Sequence, residues 1–266
     1  LLGIVTPLLT TLALRMSSRT GHIVGMMHAL AAVGSIAGTF ITGYWLIQTF
    51  GSRAVIIGCA VVLGLVGLPL LRRGNILVQG SAVMVAVLLV TATQIRQGYA
   101  NPCDRESGYF CIRVASEQWD LPAGELRSLV LDHLLHGSNH SEEPVLLAAP
   151  YVHLMDELVL DRFGERTALD FFFIGGGAYT QPRAVQKLYP GSTITVAELD
   201  PAVTETARQR LYVNTDGMTI YHADARVVLA REPARYDVIV ADAFHDSAIP
   251  IHLVTLEHAQ LVRERL

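Results

Sequence analysis

Four carboxylates stand at or just beyond the ends of apolar runs in the second half of the chain. Glu198 follows residues 193–197, Asp224 comes soon after 218–221, Asp242 ends 236–241, and Asp246 lies four residues further on. Acids at strand ends face a ligand cleft in sheets of parallel strands. A single carboxylate there can take both hydroxyls of a ribose, and another can accept from an adenine amino group. A pair such as Asp242 and Asp246 can bind a cationic amine and take up its proton, since an amine is nucleophilic only when neutral.

The glycines sharpen this. Phe171-Phe172-Phe173-Ile174 runs straight into Gly175, Gly176 and Gly177, and Glu198 comes 21 positions after Gly177. An apolar strand that breaks into glycines lets the backbone approach a ligand, and an acid at the next strand end completes a ribose site. The pattern is not the dinucleotide G-x-G-x-x-G. The ligand it favours is an adenosyl sulfonium compound. Asp200 before Pro201 reads as a helix N-cap, and Asp224 can cap a helix while it serves adenine.

These residues need a scaffold. The pattern predicts strand 168–174, helix 180–188, strand 193–197, helix 201–212, strand 218–221, helix 224–231, strand 236–241 and helix 252–265. Strands alternating with helices imply a parallel sheet covered on both faces, a Rossmann-like domain of the class I S-adenosylmethionine type over 168–266. Ahead of it, 99–167 reads as a small region of short β-structure at 109–114 and 126–131. A helix follows over 144–162, carrying Tyr151.

Residues 1–98 differ in kind. All 24 acidic residues lie beyond residue 100, so the net charge of −4 belongs to the second part, with no basic face for nucleic acid. Apolar runs at 1–14, 22–49, 54–71 and 76–94 carry no strong charge. The last three approach or exceed the roughly 20 residues that cross a bilayer. The expectation is an N-terminal α-helical transmembrane bundle, its first helix begun upstream, with the lipid bilayer as partner. Gly34 and Gly38 form a G-x-x-x-G suited to close helix packing. Orientation is contested. Arg15, Arg19, Arg72 and Arg73 fall on one side, and Arg53, Arg96 and Arg105 on the other, so the positive-inside rule puts the second part outside. An adenosyl ligand argues for a cytoplasmic location, and that reading is preferred.

Cys103 and Cys111 flank a short polar segment and are read as free thiols rather than a disulfide. His133, His136, His140 and His153 lack metal-site spacing, so no metal is expected. They are read as polar loop residues.

Taken together, Gly175–Gly177, Glu198-Leu199-Asp200, Asp224-Ala225 and the Asp242 loop resemble the spermidine synthase family of aminopropyltransferases. Glu106-Ser107-Gly108-Tyr109 resembles that family's opening strand, and Tyr151 its amine-pocket tyrosine. The apolar spans ahead resemble the membrane-fused major-facilitator/spermidine synthase proteins. The resemblance implies decarboxylated S-adenosylmethionine as donor, a small amine such as putrescine as acceptor, and methylthioadenosine as by-product. It implies Asp242 as base and anchor, Asp246 and Tyr151 on the amine, and Gly175, Gly176, Gly177, Glu198, Asp224 and Ala225 on the adenosyl group. A homo-oligomer is also compatible with it.

The departures are specific. The family's GGGDG is Gly175-Gly176-Gly177-Ala178-Tyr179 here, so the acid facing the aminopropyl amine is replaced by Ala178. Phe110 and Val152 stand where glutamines are expected. The family has three further strands after the fourth, so the chain reads as truncated there. Two rivals stay open: a methyltransferase using intact S-adenosylmethionine, and a non-catalytic membrane transporter or sensor with a ligand-binding domain of this type.

Overall fold

A computed structural model describes residues 2–16, 20–71, 76–95, 101–117, 124–244 and 248–266. They fall into two compact units, Leu1–Ala100 and Asn101–Leu266. The first contains helices α1 (Leu2–Met16), α2 (Thr20–Ile41), α3 (Ile47–Leu71) and α4 (Ile76–Ile95). A π-helical turn over Thr42–Leu46 joins α2 to α3. The two spans predicted on either side of residue 50 therefore form one long helical path. It is interrupted at Gly51, whose φ of 77° and ψ of 156° only glycine adopts at little cost. Thr20–Val66 is long and apolar enough to cross a membrane, and its apolar window has no buried share. Leu30, Val33, Ile36 and Phe40 on this path are all exposed. A Cβ built on Gly34 or Gly38 would meet nothing within 4 Å. The close packing expected of that pair is thus absent among the described residues.

The second unit opens with an antiparallel sheet of β1 (Arg105–Glu106), β2 (Cys111–Glu117), β3 (Leu126–Leu131) and β4 (Leu134–His140), in that spatial order. Strand β4 corrects the reading of its histidines as loop residues. Ser138, Asn139 and His140 are buried, and each makes at least one hydrogen bond, which lowers the cost of burying it. Ser138 shares a hydrogen bond with Ser128, and Asn139 Nδ2 donates to the carbonyls of Ala178 and Leu211. The ring Nδ1 of His140 accepts from the Glu143 N–H at 3.1 Å. Cys103 and Cys111, expected as free thiols, form a disulfide. The intervening hairpin brings the two sulfurs together.

Helix α5 (Pro150–Phe163) starts later than the apolar spacing suggests. Pro150 sits at the first helical position, where its missing N–H costs nothing. The alternating part follows: β5 (Asp170–Ile174), α6 (Thr180–Leu188), β6 (Thr193–Ala197), α7 (Pro201–Arg210), β7 (Met218–Tyr221), α8 (Ala225–Arg231), β8 (Val238–Ala241) and α9 (Leu256–Arg265). A 3₁₀ turn over Ile251–Leu253 precedes α9, where the sequence suggests one continuous helix.

The sheet is parallel, in the order β7-β6-β5-β8. Residues Phe171–Ile174 of β5 are all buried, as a central strand covered on both faces requires. Phe171 and Phe173 pack in a core with Tyr179, Val185, Val203 and Ala207. Phe172 and Ile174 face the other way, onto Val228, Leu229 and Tyr236. This two-faced burial explains the uninterrupted apolar run.

Candidate active site

Register decides where the site falls. Ile174 pairs with Ala197 on one side and Ala241 on the other. Gly175, Glu198 and Asp242, each the first residue beyond its strand, therefore emerge along one rim. After β5 the chain crosses to β6 on one side, while β8 lies on the other. This is the topological switch point at which open α/β sheets bind ligands. A cavity of ≈ 550 Å³ opens there, lined by Gly175, Gly176, Gly177, Glu198, Asp224, Ala225, Asp242 and Tyr151. The structure thus brings together every sequence-predicted site residue except Asp246, which lies outside the described residues.

The glycine turn is built around Glu198. Its Oε2 accepts from the N–H groups of Gly176 (2.9 Å) and Gly177 (3.2 Å), and its Oε1 from the Asp200 N–H (2.9 Å). Glu198 is 6% exposed. Burial pushes its pKa up, against the lowering effect of the three backbone hydrogen bonds. The carboxylate organises the turn and still borders the cavity.

Asp200 caps α7 by accepting from the Ala202 N–H, as its place before Pro201 predicts. Its other oxygen accepts from Ser107 Oγ, which ties the opening hairpin to the glycine turn.

Tyr179 explains one departure from the family spelling. It caps α6 in a left-handed conformation, with φ of 57°, in a place where a glycine would be unstrained. Its ring is fully buried and its hydroxyl shares a hydrogen bond with Thr204 at 2.7 Å, so packing offsets the backbone cost. The ring lies directly over Gly176. A Cβ at residue 176 would sit 2.6 Å and 2.7 Å from two ring carbons. Gly176→Ala is therefore expected to lower stability by about 1–3 kcal/mol, as overpacking does. A denaturant midpoint unchanged by the substitution would contradict this. Ala178, the other departure, is buried and packs towards Gly137 of β4. It is not among the residues that line the cavity.

At the β8 end of the same rim, the Tyr151 hydroxyl donates to Asp242 Oδ2 at 2.9 Å. Burial first, and the adjacent Asp242 charge second, push the Tyr151 pKa up to about 12. The phenol therefore stays a donor across the physiological range. Asp224 caps α8 through the Val227 N–H, and its second oxygen bonds His252 Nε2 at 2.6 Å.

Sequence reasoning missed several lining residues: His136 and Ser138 on β4, Thr180 and Gln181 on α6, and His252. The antiparallel strand that carries the first pair has a polar pattern, and His252 meets Asp224 only through a pairing 28 residues apart. Neither leaves a local signal.

Comparison with known proteins gives a consistent picture. No family model matches the chain. It is 36% identical over 97 residues to a polyamine aminopropyltransferase of Vibrio vulnificus (strain CMCP6), a match covering 35% of this chain and 32% of that protein. It is 35% identical over 94 residues to a probable polyamine aminopropyl transferase of Bifidobacterium longum (strain NCC 2705), covering 35% and 21%. Each match thus spans a third or less of the relative's length. The fold is shared with a crystal structure of a probable spermidine synthase from Corynebacterium glutamicum ATCC 13032 (TM-score 0.53, 24% identity, 59% of this chain and 57% of that one). Over part of its length, the chain is similar to the polyamine aminopropyltransferases, the spermidine synthase family.

Proposed function

We propose that the second unit transfers an aminopropyl group from decarboxylated S-adenosylmethionine to a small amine, and that the first unit anchors it in a lipid bilayer. The observation that carries the reaction is the single rim that holds Glu198, Asp224 and the Tyr151–Asp242 pair around one cavity. Glu198 takes the ribose hydroxyls. Asp224 accepts from the adenine amino group, beside Ala225. The amine docks against Asp242, which Tyr151 orients, with Asp246 on the amine's far end. The amine nitrogen forms a new N–C bond to the methylene carbon next to the sulfonium as the C–S bond breaks. Sulfur keeps the bonding pair and becomes the neutral thioether of methylthioadenosine. The proton shed by nitrogen passes to Asp242 and then to water. The enzyme's part is positioning and proton acceptance, since the positive sulfur is already a good leaving group.

The test is a product assay on the full chain, with each labelled donor and putrescine. Methylthioadenosine is the expected product. S-adenosylhomocysteine instead would make the protein a methyltransferase, and binding without either product would make it a binding module.

The membrane reading rests on the apolar, exposed path Thr20–Val66. The second unit is assigned to the cytoplasmic side, where the donor is made. One observation favours the opposite side: the Cys103–Cys111 disulfide, a bond at home in oxidising compartments. Protease protection in sealed vesicles separates the two, with cleavage of the second unit expected only from the cytoplasmic face.

A further inference from the structure

We infer that His252 is a positioning residue that locks Asp224 for reading the purine 6-amino group; this rests on the adenosyl assignment proposed above. Asp224 has two oxygens with different duties. Oδ1 accepts from the Val227 N–H at 3.1 Å and caps α8. Oδ2 is the oxygen left for a ligand, and the capping bond alone holds the carboxylate at one end only. His252 Nε2 supplies the second hold, at 2.6 Å from Oδ2. His252 is itself fixed in place. Its carbonyl accepts from Arg226 Nη1 at 2.9 Å, and the same guanidinium reaches Thr255 Oγ1 at 3.4 Å. The 3₁₀ turn that carries it follows Pro250, whose ring restricts the approach. Both Asp224 and His252 line the cavity.

A carboxylate oxygen offers two lone pairs. With one taken by His252, the other stays directed by a two-point hold. A purine bearing a 6-amino group can donate to it. A purine bearing a 6-oxo group brings an acceptor against an acceptor, and a pinned carboxylate cannot turn away. A site built for a donor rejects the analogue without one, because here a partly exposed carboxylate oxygen would face a second acceptor across the cavity. Without His252, Asp224 can swing its free oxygen to water, and that rejection weakens.

The measurement is equilibrium binding of methylthioadenosine and of methylthioinosine to the full chain, for wild type, His252→Ala, His252→Gln and Asp224→Asn. Wild type is expected to prefer the adenosine compound. His252→Ala is expected to shrink that preference roughly tenfold, about the effect of one hydrogen bond to a charged group. His252→Gln, whose amide can still donate to the carboxylate, is expected to restore it. An unchanged preference in His252→Ala alongside a lost one in Asp224→Asn overturns the inference and leaves the adenosyl reading standing. An equal weakening of both nucleosides in His252→Ala means a merely structural role, which also overturns it. No binding of either nucleoside by wild type overturns the inference together with the reading beneath it.

Discussion

Asp242→Asn is expected to lower the rate of aminopropyl transfer by about 10²–10⁴-fold, the usual worth of a positioned general base, while donor affinity stays within a few-fold of wild type. The substitution is nearly isosteric. The Tyr151 hydroxyl, now 2.9 Å from Asp242 Oδ2, can donate to the asparagine carbonyl instead, so the rim keeps its shape. What disappears is the acceptor for the amine's proton and the charge that draws an ammonium in. Single-turnover transfer and nucleoside binding, measured on the same preparation, read these two effects apart. Transfer at the wild-type rate would remove Asp242 from the base role. Tyr151→Phe makes a graded comparison. It leaves the carboxylate and removes only its orienting bond, so a smaller loss, roughly 10-fold to 100-fold, is expected from one hydrogen bond to a charged group.

Glu198→Gln is expected to produce the largest loss of nucleoside affinity, and to change how binding and stability respond to pH. Two ribose hydroxyls donating to a carboxylate would contribute about 1.5–3 kcal/mol each, and an amide can answer only one of them well. The loss is therefore at least roughly 10-fold to 100-fold. The turn suffers too, because the backbone N–H groups of Gly176, Gly177 and Asp200 converge on both oxygens. A glutamine must set its own N–H₂ against one of these donors.

The pH dependence follows from the direction of the shift. Burial raises the Glu198 pKa above the ordinary glutamate value. The native state therefore holds this proton more tightly than the unfolded chain does. The stability that follows is fully present below the ordinary value and is lost as pH rises through the raised one. Ligand binding runs the other way. It needs the ionised acceptor, so affinity climbs as pH rises through that raised value. In Glu198→Gln both dependences should flatten. Calorimetric titration of methylthioadenosine and denaturant midpoints, each taken across the acid range, check the two signs. A binding limb that stays at the ordinary glutamate range would contradict the role of Glu198.

How much of this was legible beforehand differs from element to element. Strands β6 and β7 fall on the residues the apolar pattern marks: β6 is buried from Ile194 to Ala197, as a strand inside the sheet requires, while β7, at the sheet's edge, is half-buried and leaves Thr219 exposed. The glycine turn, the acids at strand ends and the cap at Asp200 are local devices, written in a few adjacent residues. β4 was missed because its buried side chains are the polar Ser138, Asn139 and His140. Ser138 and Asn139 are held there by Ser128 on the neighbouring strand and by the carbonyls of Ala178 and Leu211, and His140 by the Glu143 N–H just beyond the strand. The disulfide was missed for a related reason. A spacing of eight residues permits a bridge, but only the β1–β2 hairpin brings the two sulfurs together.

By itself, then, the sequence determined the alternation of strands and helices, the two-faced burial of β5, and the residue types placed at the strand ends. All of these follow from short-range periodicity and backbone geometry. Tertiary structure alone decided which of them meet. The parallel register aligns Ile174, Ala197 and Ala241, so that Gly175, Glu198 and Asp242 share one rim. Helix α5 delivers Tyr151 to a carboxylate 91 residues away, and the turn before α9 delivers His252 to Asp224. Such pairings depend on the sheet order and on how helices cross it, and no local pattern of residues encodes them.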